Sequence, residues 1–335
     1  MQKRNNYIDW LKGFAIFAVV FGHCWMRDEA LYWFIYRFHM VLFMTISGYL
    51  FNAKRGFKEF LFKKAKSMLL PYMMFSLFSM AVSIIFLGGS VSDIPIYFFG
   101  MVMGGKFCLL YNNWTLWYLP LMFIVSVIMY FVVNKWQKFY KYILVGAFLI
   151  ILPLNLFLRH ICHNGYIPFS MQVIPVGLVC MMIGYGLRKS GYNGELFANQ
   201  KINSIVAVLA GLLGYLISLG SNATVINPKN IMMIPAALLI CHMIVVLTKD
   251  SHNKAIAFLG RNSLYILGLH RPILYVLEKR TGLEKFLVSF NITGPVACFF
   301  ISVLVILGIL VCIIAVSELK KRIKTQKNQT YVDIA

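Results

Sequence analysis

The chain has 335 residues, of which 60% are hydrophobic and only 13% charged, with a mean hydropathy of +0.75. Soluble globular proteins carry about 25% charged residues, so a soluble enzyme with one anchor is excluded; the long apolar runs also exclude an outer-membrane barrel, whose segments are short and alternating. The 32 Lys and Arg against 11 Asp and Glu give a formal net charge of +21, and in a polytopic membrane protein such an excess belongs to cytoplasmic loops rather than to nucleic-acid binding.

Ten apolar runs follow one another: residues 8–25, 31–51, 67–87, 114–133, 142–158, 170–187, 202–219, 231–247, 262–277 and 293–316. Each approaches the roughly 20 residues that a spanning helix needs. A shorter piece, 94–103, ends in Gly104-Gly105 and reads as interfacial or re-entrant. The basic residues fall unevenly between these runs. With the N-terminus inside, 23 lie on the cytoplasmic side, among them Lys3, Arg4, Lys12, a loop from Lys54 to Lys66, and a tail with Lys320, Lys321, Arg322, Lys324 and Lys327. Seven lie on the other side (Arg27, Lys106, Arg159, Lys229, Lys279, Arg280, Lys285), and Arg37 and Arg271 fall inside runs. The expectation is an all-α polytopic membrane protein of about ten helices, both termini cytoplasmic. Residues 1–317 form the transmembrane domain and 318–335 a basic cytoplasmic tail. Asp9 and Lys12 interrupt the start of the first run and no small-residue cleavage site follows it, so that helix is expected to stay uncleaved.

The seven cysteines are scattered and read as packing residues. His160, Cys162 and His163 lack the carboxylates or second cluster that zinc requires, so no metal is expected. Phosphate-loop, HExxH and GxSxG motifs are absent. Asn113, Asn222 and Asn291 head glycosylation sequons in outer loops.

Ionisable groups inside a bilayer are costly and therefore functional candidates. They are His23, Arg37, His39, His242, His270 and Arg271, with Asp9, Lys12 and Glu278 near the ends of runs. At about 1.5 Å per residue, His23, Arg37, His39, His270 and Arg271 occupy similar depths in the outer half of the bilayer. His23, Arg37 and His39 lie within 17 residues on two runs joined by a short turn, which draws them together. His242, alone on its run, reads as a hydrogen-bonded core histidine, and His270 with Arg271 reads equally as a structural pair. No interior carboxylate accompanies this cluster, which argues against metal-assisted hydrolysis, carboxylate-paired glycosyl chemistry and proton-coupled transport. A neutral imidazole is a good general base for a hydroxyl, and an arginine beside it stabilises an oxyanion. Thr45 and Ser47 add hydroxyls on the same run. This is equipment for acyl transfer to an alcohol. The basic run with Lys63, Lys64 and Lys66 suits either anionic lipid or the phosphates of a nucleotide-linked donor.

These residues resemble the membrane acyltransferase-3 family. The stretch 6–23, with Lys12 ten positions before His23, is similar to that family's opening helix; Tyr36-Arg37-Phe38-His39-Met40 through Ser47-Gly48 is similar to its second, with Val41 in place of the usual proline. Trp114-Thr115-Leu116-Trp117-Tyr118-Leu119 resembles its Trp-Phe-Leu helix start, and 260–270 its late helix ending in histidine. The family's cytoplasmic Arg-x-x-Arg falls on Lys63-Lys64-Ala65-Lys66, where lysines give up bidentate phosphate contact. The resemblance implies an O-acyltransferase that moves an acetyl group from acetyl-CoA to a glycan or lipid-linked sugar at the cell surface. It resembles the compact bacterial members, expected in the inner membrane and without the appended extracytoplasmic domain of larger ones. It implies His23 as base or acyl carrier with Arg37 and His39 at the reacting centre. Lys12, Lys63 and Lys66 would face acetyl-CoA, and Ser47, Trp117, His270 and Arg271 the acceptor. The alternative is a transporter or flippase for a lipid-linked glycan, for which neither an internal repeat nor midplane carboxylates are visible.

Overall fold

A computed structural model describes residues 6–25, 29–162, 167–192, 194–219 and 231–332, with side chains described to residue 323. Lys3, Arg4, Arg27, His163, Asn222, Lys229, the side chains of Lys324 and Lys327, and the last three tail residues lie outside the described set. The elements are α1 Asn6–Gly22, α2 Glu29–Tyr49, α3 Phe57–Lys64, α4 Leu70–Phe86, α5 Ile94–Met103, α6 Tyr118–Asn134, α7 Tyr140–Ile161, α8 Ile174–Lys189, α9 Gln200–Leu219, α10 Met233–Thr248, α11 Lys254–Arg261, α12 Ser263–Arg280, α13 Leu283–Ser289 and α14 Gly294–Val332. Among the described residues seven helices are long and apolar enough to cross a membrane. Shorter or more polar helices α1, α10 and α12 occupy the other three apolar runs. The chain is an all-α, multi-pass membrane protein.

Three helices, α3, α11 and α13, lie between apolar runs where the sequence reading had loops. The segment 54–66 is not a loop throughout: α3 passes through a wide turn of π geometry, Ala65–Leu69, directly into α4. The reason is amphipathicity. Phe60 is buried against Phe51 and Tyr130, while Lys58, Lys63 and Lys66 stay exposed. A window that averages hydropathy misses such an interfacial helix.

The centre of the bundle is α1, α2 and α8. Glycines bring these helices into close contact with their neighbours: a side chain at Gly48 of α2 or Gly184 of α8 would strike the backbone of the other helix. Close approach of backbones through small residues is the usual device of membrane helix packing. In α8, 61% of the apolar window is buried, against 11% in the segment containing α7. Helix α7 therefore faces lipid.

Side-chain contacts gather the two sets of loops on opposite faces. On one, the Tyr130 hydroxyl donates to the Arg55 carbonyl, Tyr7 to that of Val245, and Lys249 pairs with Glu195. On the other, Arg280 donates to the carbonyl of Phe86 and Arg271 to that of His23. The first face carries the lysine-rich segments and is called the basic face below.

Candidate active site

His23 follows the last turn of α1, its N–H donating to the carbonyls of Val19 and Val20 at 3.1 Å. The glycine before it matters. A side chain at Gly22 would meet the Tyr36 ring at 3.2 Å, so its absence lets α2 bring that ring close. The Tyr36 hydroxyl reaches His23 Nδ1 at 2.5 Å. Three residues on, His39 shares that face of α2, its ring centroid 5.0 Å from that of Tyr36. His39 Nδ1 lies 2.7 Å from the Ile35 carbonyl. A carbonyl only accepts, so Nδ1 carries the proton and the neutral ring keeps its lone pair on Nε2.

The third side comes from α12. The His270 ring lies near-parallel to that of His23, centroids 5.3 Å apart. His270 Nδ1 donates to the carbonyls of Ile266 and Leu267 at 2.9 and 3.0 Å. Its Nε2 is buried without a hydrogen-bond partner. Arg271 donates to the His23 carbonyl at 2.9 Å, with its guanidinium over Tyr275 at 4.0 Å. Trp114 closes the site, edge-on to His23 at 4.7 Å.

A buried polar network holds Trp114 and His270 in this arrangement. Pro272 lies inside α12, and having no N–H it leaves the Gly268 carbonyl, four residues back, without its helical donor. Asn113 Nδ2 supplies one at 2.9 Å and also donates to Ser79 Oγ at 2.8 Å. Its Oδ1 accepts from Thr115 Oγ1 at 2.7 Å. Asn113 is fully buried, so its sequon offers no amide for glycosylation. Ser76, Ser79 and Ser83 form a buried polar stripe on α4. Ser76 and Ser83 meet Tyr111 and Asn112 as Ser79 meets Asn113. The segment leading into α6 is thus fastened to α4 and α12.

The remaining sequence candidates disperse. Arg37 is buried, but adjacent helix residues point about 100° apart, and its guanidinium sits over Tyr215 of α9 at 5.3 Å. It does not join the histidines. Ser47 donates to the Phe43 carbonyl at 2.9 Å. Trp117 is buried edge-on to Tyr118. Lys12 is half-buried in α1; Lys63 and Lys66 are exposed, and the Lys64 ammonium between them lies 5.7 Å from the Phe51 ring. Sequence reasoning missed Tyr36 and Trp114 as members of the site. Tyr36 had a signal, its three-residue spacing from His39. Trp114 had none beyond its motif. Among the described residues no group of three or more His, Cys, Asp or Glu is placed to hold a metal.

A cavity of about 530 Å³ lies between α1, α2, α8 and α10. It runs along α2 from Tyr49, at the basic face, to Leu42, one turn from His39. Its walls are mainly apolar, with Tyr192 and His242 at one side. The Tyr192 hydroxyl lies 2.5 Å from His242 Nδ1. Thr45 Oγ1 and His242 Nε2 are buried there without hydrogen-bond partners.

A family model described as an acyltransferase domain matches residues 5–315. No curated protein and no solved structure matches the chain.

Proposed function

The chain belongs to the membrane acyltransferase-3 family, and on that premise we propose that it moves an acetyl group from acetyl-CoA to a hydroxyl of a cell-surface glycan or its lipid-linked precursor. The basic face is then cytoplasmic, in a bacterial inner membrane, and the histidine cluster lies towards the opposite side. The observation that carries this reading is the convergence on His23: Tyr36 at Nδ1, His270 at ring distance with a bare Nε2, and Trp114 against its edge.

In this reading His23 Nδ1–H donates to Tyr36 Oη, and Nε2 is the atom that acts as base towards the acceptor hydroxyl. The orienting partner of a catalytic histidine elsewhere plays the same part. As Nε2 takes the hydroxyl proton, the oxygen attacks the thioester carbon. The carbon–sulfur bond breaks, and the CoA thiolate recovers the proton from the imidazolium, so His23 ends as it began. His39 and His270 face the acyl group and acceptor, and Arg271 fixes the His23 backbone. Arg37, turned to Tyr215, has no part in this step. The donor arm enters the cavity beside α2, where Thr45 and His242 provide hydrogen-bonding atoms for its amides. Lys12, Lys63 and Lys66 meet the nucleotide end at the basic face.

Two measurements test this. Mass analysis of the surface glycan is expected to show acetyl esters lost on gene deletion and regained on complementation. The purified protein is expected to consume acetyl-CoA when given that glycan. An unchanged glycan together with no acetyl-CoA consumption overturns the reading.

A further inference from the structure

A second concavity, this one basic, lies apart from the cluster and its cavity. It has a volume of about 600 Å³ and sits between the start of α7 and the end of α8, lined by Gln137, Lys138, Tyr140, Lys141, Tyr185 and Lys189 among others. We propose that it binds a phosphate group, that of an anionic phospholipid headgroup at the membrane surface.

Three observations lead there. First, the cations converge without acids: Lys189 and Arg188 lie 5.3 and 5.2 Å from the Tyr185 ring centroid, and Lys138 and Lys141 line the same hollow. Among the described residues no carboxylate pairs with any of these four. Second, the walls are fixed. The Tyr140 hydroxyl donates to the Met182 carbonyl, and the buried Tyr185 ring lies 6.3 Å from Tyr140 and 6.4 Å from Phe51. Lysines that only orient a chain in the membrane need no concavity and no rigid aromatic wall. Third, the hollow opens at the lipid boundary. Trp136, Phe139 and Tyr142 beside it are 45%, 46% and 77% exposed, as an interfacial aromatic belt requires, and α7 itself faces lipid.

Lysine ammonium groups serve a phosphate as point charges, and Gln137 adds a side-chain donor. Basic pockets between helices on the cytoplasmic side are suited to anionic headgroups. A soluble nucleotide offers the same phosphate chemistry, but the exposed aromatic rim and the lipid-facing α7 favour the lipid. The site does not depend on acyl transfer.

The test uses full-length protein in detergent and native mass spectrometry with phosphatidylglycerol, phosphatidylcholine and adenosine 3′,5′-bisphosphate as probes. The variant combines Lys138→Gln, Lys141→Gln and Lys189→Gln. The control combines Lys54→Gln, Lys58→Gln and Lys320→Gln, which removes equal charge from exposed positions. Wild type and control are expected to retain phosphatidylglycerol over phosphatidylcholine, and the pocket variant to bind it at least about 10-fold more weakly. Equal loss in control and variant, or no loss in the variant, overturns the proposal. Bisphosphate retained by wild type but not by the variant, with no lipid preference, supports the phosphate site and overturns the lipid source. Should the triple variant lose its thermal transition, Lys141→Gln alone, at an exposed position, carries the same comparison.

Discussion

The protein contains the same contact twice, at opposite ends of the bundle. Tyr36 meets His23 Nδ1 at 2.5 Å near one face, and Tyr192 meets His242 Nδ1 at 2.5 Å near the basic face. The surroundings differ. His23 is ringed by His270, Trp114 and Tyr36, which come from three separate elements. His242 stands on the side of a mainly apolar cavity, with its Nε2 bare. The same tyrosine–histidine pair thus sits in two different surroundings. Around the first, α2, α12 and the segment leading into α6 converge from different directions on the imidazole that α1 carries; the second offers a hydrogen bond to whatever fills the cavity.

The largest expected effect separates the two histidines. His23→Ala is expected to lower acetyl transfer by about a thousandfold, within the range for loss of a general base, at unchanged protein abundance. Full activity in that variant would remove His23 from the reaction. His242→Ala is expected to leave kcat nearly intact and to raise the KM for acetyl-CoA roughly tenfold, the value of one hydrogen bond to the donor. A fall in kcat matching that of His23→Ala would erase the distinction.

The tyrosines sharpen it at a smaller scale. Tyr36→Phe is expected to cost about tenfold in kcat, because one orienting hydrogen bond is worth about 1 kcal/mol or slightly more. Tyr192→Phe is expected to leave kcat unchanged, and kinetics of the two purified variants decide the point.

A last expectation, read as stability rather than rate, concerns the network behind the first pair. Asn113→Ala leaves the Gly268 carbonyl buried and unpaired, and is expected to lower stability by about 1–3 kcal/mol. Pro272→Ala restores a backbone N–H for that carbonyl, so Asn113→Ala is expected to cost less in the Pro272→Ala background. Unfolding of the four proteins in detergent closes the cycle, and strictly additive losses would show that the two residues are not coupled through Gly268.

Much of the site was legible in the sequence because buried imidazoles in a lipid-facing chain stand out. His23, His39 and His270 were each marked by their cost, and helix arithmetic put them at similar depths; the structure brings them together. Depth, however, says nothing of azimuth. Arg37 neighbours Tyr36 in sequence yet faces α9 over Tyr215, because one residue turns a helix by about 100°. Trp114 was hidden for another reason: its position depends on Asn113 capturing a carbonyl that a proline 159 residues later leaves bare, and no local pattern encodes that. The run Lys63 to Lys66 looked like a loop because charge masked the amphipathic face that Phe60 buries.

The sequence by itself determined the solvent the chain lives in, the ten apolar runs and which loops between them carry the basic residues, since these follow from composition and the distribution of charge. It also nominated the histidines, since few polar groups remain inside. Only the tertiary structure decided which of them meet. Glycine at positions 22, 48 and 184 permits close approach, Pro272 frees a carbonyl for Asn113, and rotation of α2 sends Tyr36 and His39 one way and Arg37 another. Those are relations between helices, and hydropathy read along one chain carries no information about the angle at which two helices face each other.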